Sequence, residues 1–433
     1  MKKTVLCLSL LAFSPLAHAT DISAAVYGVN GAKTITVEGT SARTASGASV
    51  HFDRPEFEER QHRVREAMAA RGLDGLLLSR IEDQYWLTGL DTDGFCIFHA
   101  VFIAVDGAIT HISRTADLAN VRYSSICQDV DLWIDGEGSS KAVVVKETLA
   151  RHKMAGKRLG IQLDTYGLLP QPYLELKETC EGFCELIDAS DLVRILRLTK
   201  SERELDYLRT AGTIVDKMRD VALAETHADA YEGEIMGKVW YTSFANDGDP
   251  PAHRPPIGNG SSAMNMRYTT KRKRVGENDQ VTFELGAGYR HYHAANMFVI
   301  LTGPSIDPRH LRMHEACIDA LASVQATLVP GKTVGALYEA HRASFARHGY
   351  EHALLRACGY TMGATWPPTW MEQPQIVKDS SVVLAPNMSF FTHMILVDHT
   401  SGLTMSLGEQ AIITDQAPEI ISHVPHEPII VGA

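Results

Sequence analysis

The chain has 433 residues, 45% hydrophobic and 21% charged, enough for two or three domains and a sizeable core. This near-average globular composition excludes a disordered, collagen-like or coiled-coil protein. A formal charge of −11, from 41 basic against 52 acidic residues, argues against non-specific nucleic-acid binding, and no nucleic-acid partner is expected.

Residues 1–19 read as an export signal: Lys2 and Lys3 are basic, Val5 to Phe13 is apolar, and Ala17-His18-Ala19 is a small-x-small cleavage site. The apolar stretch is shorter than the ~20 residues a membrane helix needs. Cleavage after Ala19 removes two positive charges and no negative one, leaving −13. The expectation is a periplasmic or secreted protein with no membrane attachment after signal cleavage. Cys7 leaves with the signal, and the six remaining cysteines read as small hydrophobes with room for one bridge.

Residues 20–52, rich in Ser, Thr, Gly and Ala, read as a flexible leader. An α/β pattern follows over 53–196. A helix is predicted over Glu56 to Arg71 with Gly72 as its stop, then strands at Leu76-Leu77-Leu78, Tyr85-Trp86-Leu87 and His99 to Val105. Lys141 to His152 reads as a helix and Arg158 to Leu163 as a strand. The texture changes near Ile195. A long helix is predicted after Ser201, with Ser201 and Glu204 as a capping box, and a second over Ala230 to Ala245. Past the Pro-rich loop at Asp249-Pro250-Pro251 and Pro255-Pro256, strands alternate with helices at 308–328 and 334–348.

The densest polar segment runs from Thr282 to Asn296 and predicts two strands joined by a turn at Gly286 to Gly288. Glu284 ends an apolar strand, where a buried carboxylate must be paired, protonated or functional. Alternation puts His291, His293 and Ala295 on one face of the second strand, and Tyr292 and Ala294 on the other. A plainer reading makes this a solvated hairpin with one ion pair, Glu284 to Arg290. His253 and Arg254 could bind a substrate carboxylate or simply lie in a surface loop, and Lys271-Arg272-Lys273-Arg274 reads as a solvated turn.

These segments resemble the pita-bread superfamily of prolidase, aminopeptidase P, methionine aminopeptidase and creatinase. The stretch around Glu284 is similar to its first metal motif. Lys200-Ser201-Glu202-Arg203-Glu204, Val329-Pro330-Gly331, Gly359-Tyr360-Thr361-Met362-Gly363 and Pro386-Asn387-Met388-Ser389-Phe390 match further motifs in the family's order. The resemblance implies an α+β chain: a small α/β N-terminal domain over 53–196, then a pita-bread domain over 197–426, usually in a homodimer.

The family's peptidases hold two metal ions with two Asp, one His and two Glu. Here those positions fall on Glu284, Ala295, Tyr360, His393 and either Gly408 or Glu409. A dinuclear site needs several carboxylates, so no metal cofactor is expected; a single divalent ion on Glu284, His393 and Glu409 is the fallback. Among metal-free members, the ectoine hydrolases match in more detail: Tyr85-Trp86-Leu87-Thr88-Gly89, Arg290-His291-Tyr292-His293-Ala294, and Gly359-Tyr360 followed by Trp366-Pro367-Pro368-Thr369-Trp370. Met266-Arg267-Tyr268 stands where the peptidases carry a His-containing loop.

That resemblance implies a small-molecule substrate, a zwitterionic cyclic amidine, whose carbon is attacked by Glu284 to give a covalent intermediate. His293 or His291 would move protons, and Tyr360 and His393 would orient water or stabilise charge. Trp366 and Trp370 would wall the cationic amidine, with Tyr292, His253 and Arg254 also on the substrate side. Two other outcomes compete: an Xaa-Pro peptidase with one metal ion, and a non-catalytic binding protein.

Overall fold

The computed structural model describes residues 35–37 and 50–432, apart from 128, 137–138, 269 and 271–272. The export signal, its cleavage site, most of the leader and Lys271-Arg272 lie outside the described residues. The chain divides into two compact units at Leu196/Arg197. Among the described residues no helix is long and apolar enough to cross a membrane.

The first unit is a seven-stranded mixed sheet with helices. Its strands are β1 (Ile35–Val37), β2 (Gly75–Leu78), β3 (Ala100–Ala104), β4 (Ile109–Arg114), β5 (Val130–Trp133), β6 (Arg158–Ile161) and β7 (Glu185–Asp188), in the order β1-β5-β4-β3-β2-β6-β7. Three residues of the leader thus form an edge strand, antiparallel to β5. Helix α1 (Arg54–Ala70) is capped by Asp53, whose carboxylate accepts from the Glu56 N–H.

Tyr85-Trp86-Leu87 is helical, not a strand: it lies in α2 (Ile81–Thr88). Every residue of α2 but Glu82 is buried, so its apolar run has no polar face to reveal the helical period. Gly89, left-handed at φ 81°, ends it, and a Cβ there would meet the Ser124 carbonyl at 2.8 Å. The remaining helices of this unit are α3 (Leu118–Ser124), α4 (Lys141–Arg151), α5 (Pro170–Cys180) and α6 (Leu192–Arg197), the last ending at the division. The six described cysteines are unbridged.

The second unit opens with α7 (Glu202–Glu225), where the Ser201/Glu204 capping box forms in both directions, and continues with α8 (Glu232–Ala245). Leu208, Ala211, Val215, Met218 and Ala222 fall at helical spacing and pack α7 on the sheet of this unit. The sheet strands are β8 (Ile257–Asn259), β9 (Gln280–Tyr289), β10 (Tyr292–Thr302), β11 (Ala357–Thr361), β12 (Glu372–Val377), β13 (Ser389–Asp398) and β14 (Leu403–Ile412). They run in the order β12-β11-β13-β14-β10-β9-β8, and two short strands, β15 (Glu419–Ile420) and β16 (Ile429–Val431), add to β14 and β10. Helix α9 (Pro308–Gln325) packs on β13 and β14, and α10 (Val334–Arg347) on β11 and β12.

Strand alternation gives this sheet two different faces. Phe283, Leu285, Ala287, Ala294, Phe298, Met394 and Leu407 join the helices in the main core. The opposite face carries a separate apolar cluster that includes Ala295, Met297, Tyr360, Trp370 and Phe391.

Candidate active site

Pairing register assembles the site on that second face. Glu284 on β9 lies opposite Met297 on β10, Met297 opposite Gly408 on β14, and Gly408 opposite His393 on β13. Tyr360 on β11 pairs with Phe391, two residues from His393, and so projects to the same side. The rings of Tyr360, Phe391 and His393 form a triangle with every centroid pair 5.6 Å apart.

A hydrogen-bond chain ends on Glu284. Trp370 Nε1–H donates to the Tyr360 hydroxyl at 2.9 Å, and that hydroxyl donates to Glu284 Oε1 at 3.2 Å. Trp370 sits over Gly286, where a Cβ would come within 2.6 Å of its ring, so the missing side chain makes room for the indole. Burial raises the Glu284 carboxyl to about 7, against opposing pulls from the Tyr360 hydrogen bond and the Arg267 charge. Burial and the nearby Glu284 charge push the Tyr360 phenol well above its usual value, so it remains a donor. Glu284 nonetheless keeps limited solvent exposure. A carboxyl that titrates near neutrality and is reachable from outside can act as base or nucleophile.

His393 is 8% exposed and burial lowers it to about 4, so it is neutral, and its Nδ1 has no hydrogen-bond partner among the described residues. A water or substrate atom is what such a buried nitrogen lacks. His253 packs edge-on against Trp370 at 5.3 Å, whereas Arg254 is exposed.

The remaining candidates belong to a second cluster at the hairpin turn. The turn is Arg290-His291, both left-handed with φ of 52° and 65°, and Gly286 to Gly288 lies within β9. Arg290 pairs with Asp247 at 3.4 Å, and the Glu284–Arg290 ion pair of the plainer reading does not form. His291 therefore leaves the strand alternation and stacks on Trp366 with centroids 3.9 Å apart. His293 does face the site side, but its Nε2 accepts from the Ala252 N–H at 2.9 Å, and its Nδ1 lies 2.7 Å from the His291 carbonyl. Both nitrogens are engaged, the residue is 1% exposed, and burial lowers it to about 4. As folded it bridges loop and hairpin through both of its nitrogens. Tyr292 points to the helices and donates to Glu204 Oε1 at 2.7 Å, away from the site.

Among the described residues no three His, Cys, Asp or Glu side chains converge as a metal ion would require. The fallback trio is split by alternation: Glu409 faces the helices, where Gln325 donates to it at 2.8 Å and the Val424 N–H at 3.0 Å. At Gly408, on the site face, a Cβ would meet the Phe391 ring at 2.8 Å. One carboxylate, one phenol and one neutral imidazole do not fit the demands of a two-metal centre. Arg267, whose charge reaches Glu284, was noted in the sequence only as a departure from a His-containing loop. The loop approaches β9 through tertiary folding, which no local pattern announces.

Comparison with known proteins bears on both units. The Creatinase/Prolidase N-terminal domain profile matches residues 60–199, and that of Metallopeptidase family M24 matches residues 206–415. An ectoine hydrolase from Halomonas elongata is 25% identical over 399 residues, covering 88% of this chain and 98% of that protein. An Xaa-Pro dipeptidase from Pyrococcus horikoshii is 26% identical over 230 residues, covering 52% of this chain and 64% of that protein. A dipeptidase structure from Mycobacterium ulcerans superposes with a TM-score of 0.76 at 20% identity, over 88% of this chain and 100% of its own, a likeness of fold.

Proposed function

Because the chain belongs to the pita-bread superfamily, with a creatinase/prolidase-type N-terminal domain ahead of an M24 domain, and is a hydrolase acting on C–N bonds, we propose that it opens a small zwitterionic amidine of the ectoine type, without a metal ion, through a covalent intermediate on Glu284. The observation that carries this reading is the lone, solvent-reachable Glu284 carboxyl, raised by burial and held by Tyr360 and Trp370.

Tyr360 occupies Oε1 and leaves Oε2 to attack. The Oε2–carbon bond forms, one ring C–N bond breaks, and the proton on the retained amidine nitrogen passes to the leaving nitrogen. A single water then adds to the carbon as the carbon–Oε2 bond breaks: its oxygen becomes the amide oxygen, one of its protons goes to the retained nitrogen and the other to the freed amine, and the carboxylate is restored. His393, through its unpartnered Nδ1, orients that water. The apolar walls of Met297, Trp370 and Phe391 strengthen each polar contact. The proposal includes export, supported by residues 1–19, and a homodimer.

The test is chelator-treated protein incubated with ectoine, creatine and Xaa-Pro dipeptides, with products read by mass spectrometry. Ring opening of the amidine is expected, with Glu284→Gln slower by about 10³-fold or more. Turnover that survives Glu284→Gln rules out the covalent route. Xaa-Pro cleavage that appears only with added manganese or cobalt would favour the metallopeptidase activity carried by the Pyrococcus relative's name.

A further inference from the structure

Arg267 is exposed in the loop before β9, and no hydrogen bond or ion pair engages its guanidinium among the described residues. Its backbone, by contrast, is fixed. The Arg267 N–H donates to Asn265 Oδ1 at 3.0 Å, and the Tyr268 N–H to the Asn265 carbonyl at 2.9 Å. Tyr268 then ties the loop to Glu232 on α8 through a 3.4 Å hydroxyl–carboxylate bond. On the N-terminal side, Met264 and Met266 pack against the apolar cluster that contains Tyr360 and Trp370. The loop is thus pinned on both sides of a cation that has no partner among the described residues.

The charge also bears on the site. It lowers the Glu284 carboxyl, the Tyr360 phenol and the His253 imidazole, three groups that lie around Trp370. The guanidinium is felt by all three, and its neighbours Met264 and Met266 pack against the cluster that holds Tyr360 and Trp370, so the loop brings Arg267 to the side of the sheet that carries Glu284.

We propose that Arg267 is the anion anchor of this site. It grips a substrate carboxylate at the rim while the reacting carbon lies against Glu284 and the Trp370 and Tyr360 rings. The inference rests on the reading of Glu284 as the reacting group and adds the substrate class: a small molecule with an obligatory carboxylate. A planar guanidinium matches a carboxylate with two parallel hydrogen bonds, which an ammonium cannot do. This is the role that one of two readings of the sequence gave to His253 and Arg254. Arg267 is a specificity-determining residue, which holds one end of the substrate and leaves the bond making to Glu284.

The experiment uses the Glu284→Gln variant, so that binding is read apart from turnover. Calorimetry measures ectoine against ectoine methyl ester, and glycyl-proline against glycyl-prolinamide. Ectoine is expected to bind at least about 10-fold tighter than its ester, the usual weight of a charge-assisted pair. Adding Arg267→Met should erase that preference, and Arg267→Lys should retain part of it. Equal affinity for acid and ester in Glu284→Gln overturns the proposal, as does a preference that survives Arg267→Met, or the failure of every acid to bind. Turnover separates the two ideas. If otherwise native protein hydrolyses ectoine but Arg267→Met leaves KM unchanged, the anchor is wrong and the activity stands. If nothing is hydrolysed but the Arg267-dependent preference remains, the anchor stands and the proposed reaction is wrong.

Discussion

Glu284 is a residue whose stability cost and chemical use are the same physical fact. Its folded pKa, about 7, lies above its ordinary 4.5, so between these values the folded chain binds more proton than the unfolded one. Stability must therefore fall as pH rises from 4.5 to 7, by at most about 3 kcal/mol. Glu284→Gln keeps an acceptor for Tyr360 but carries no charge, so it escapes this loss. Its melting temperature is expected above the parent's at pH 8, with no such gain at pH 4. A variant that melts lower at pH 8 would make Glu284 a prop of the fold and weaken its assignment to the reaction. His293 is the contrasting case, a histidine on the same face with both nitrogens already engaged.

The β9–β10 hairpin shows which parts of the site were legible as elements. An isolated carboxylate in an apolar strand identifies Glu284 without any structure, and alternation puts His293 on the right face. Alternation is silent about partners, however, and Ala252, 41 residues away, is what silences that imidazole. The turn was misplaced because Gly286 to Gly288 has turn composition, while the observed turn puts Arg290 and His291, neither a glycine, in left-handed conformations. Those glycines serve the partner side of the strand: Gly286 lies beneath Trp370 and Gly288 beside His293. Gly286→Ala should therefore push Trp370 off the Tyr360 hydroxyl, at about 1–3 kcal/mol of overpacking. The expected result is a lower kcat together with a lower melting temperature. An unchanged kcat would show that the Trp370–Tyr360 bond does not matter to the reaction. Tyr360 and His393 were legible only through the family's frame, and the role of Arg267 not at all.

At the scale of the whole molecule, five of the buried histidines among the described residues are held furthest below their usual value and respond to acid in the same direction. His99 and His111 in the first unit, and His293, His341 and His393 in the second, are held by burial at about 4, 3, 4, 3 and 4. The unfolded chain takes up their protons near 6.5 and the folded chain does not, so the contribution is whole above 6.5 and drains as pH falls toward 4. At pH 5.5 each costs roughly 1 kcal/mol, and five outweigh the opposite trend of Glu284. Thermal melts should drop steeply between pH 7 and 5, and a flat profile would refute the neutral burial of these rings. At the same scale, the Phe391 ring lies where a side chain on Gly408 would have to go, and the neighbouring Glu409 is committed to Gln325 and Val424 on the far face. A carboxylate placed at 408 would collide before it could ligate anything, and shrinking Phe391 first would open a void with nothing to fill it. Building a metal centre on this face is therefore gated: each single substitution is penalised until its companion has been made, so mutation one residue at a time does not reach it.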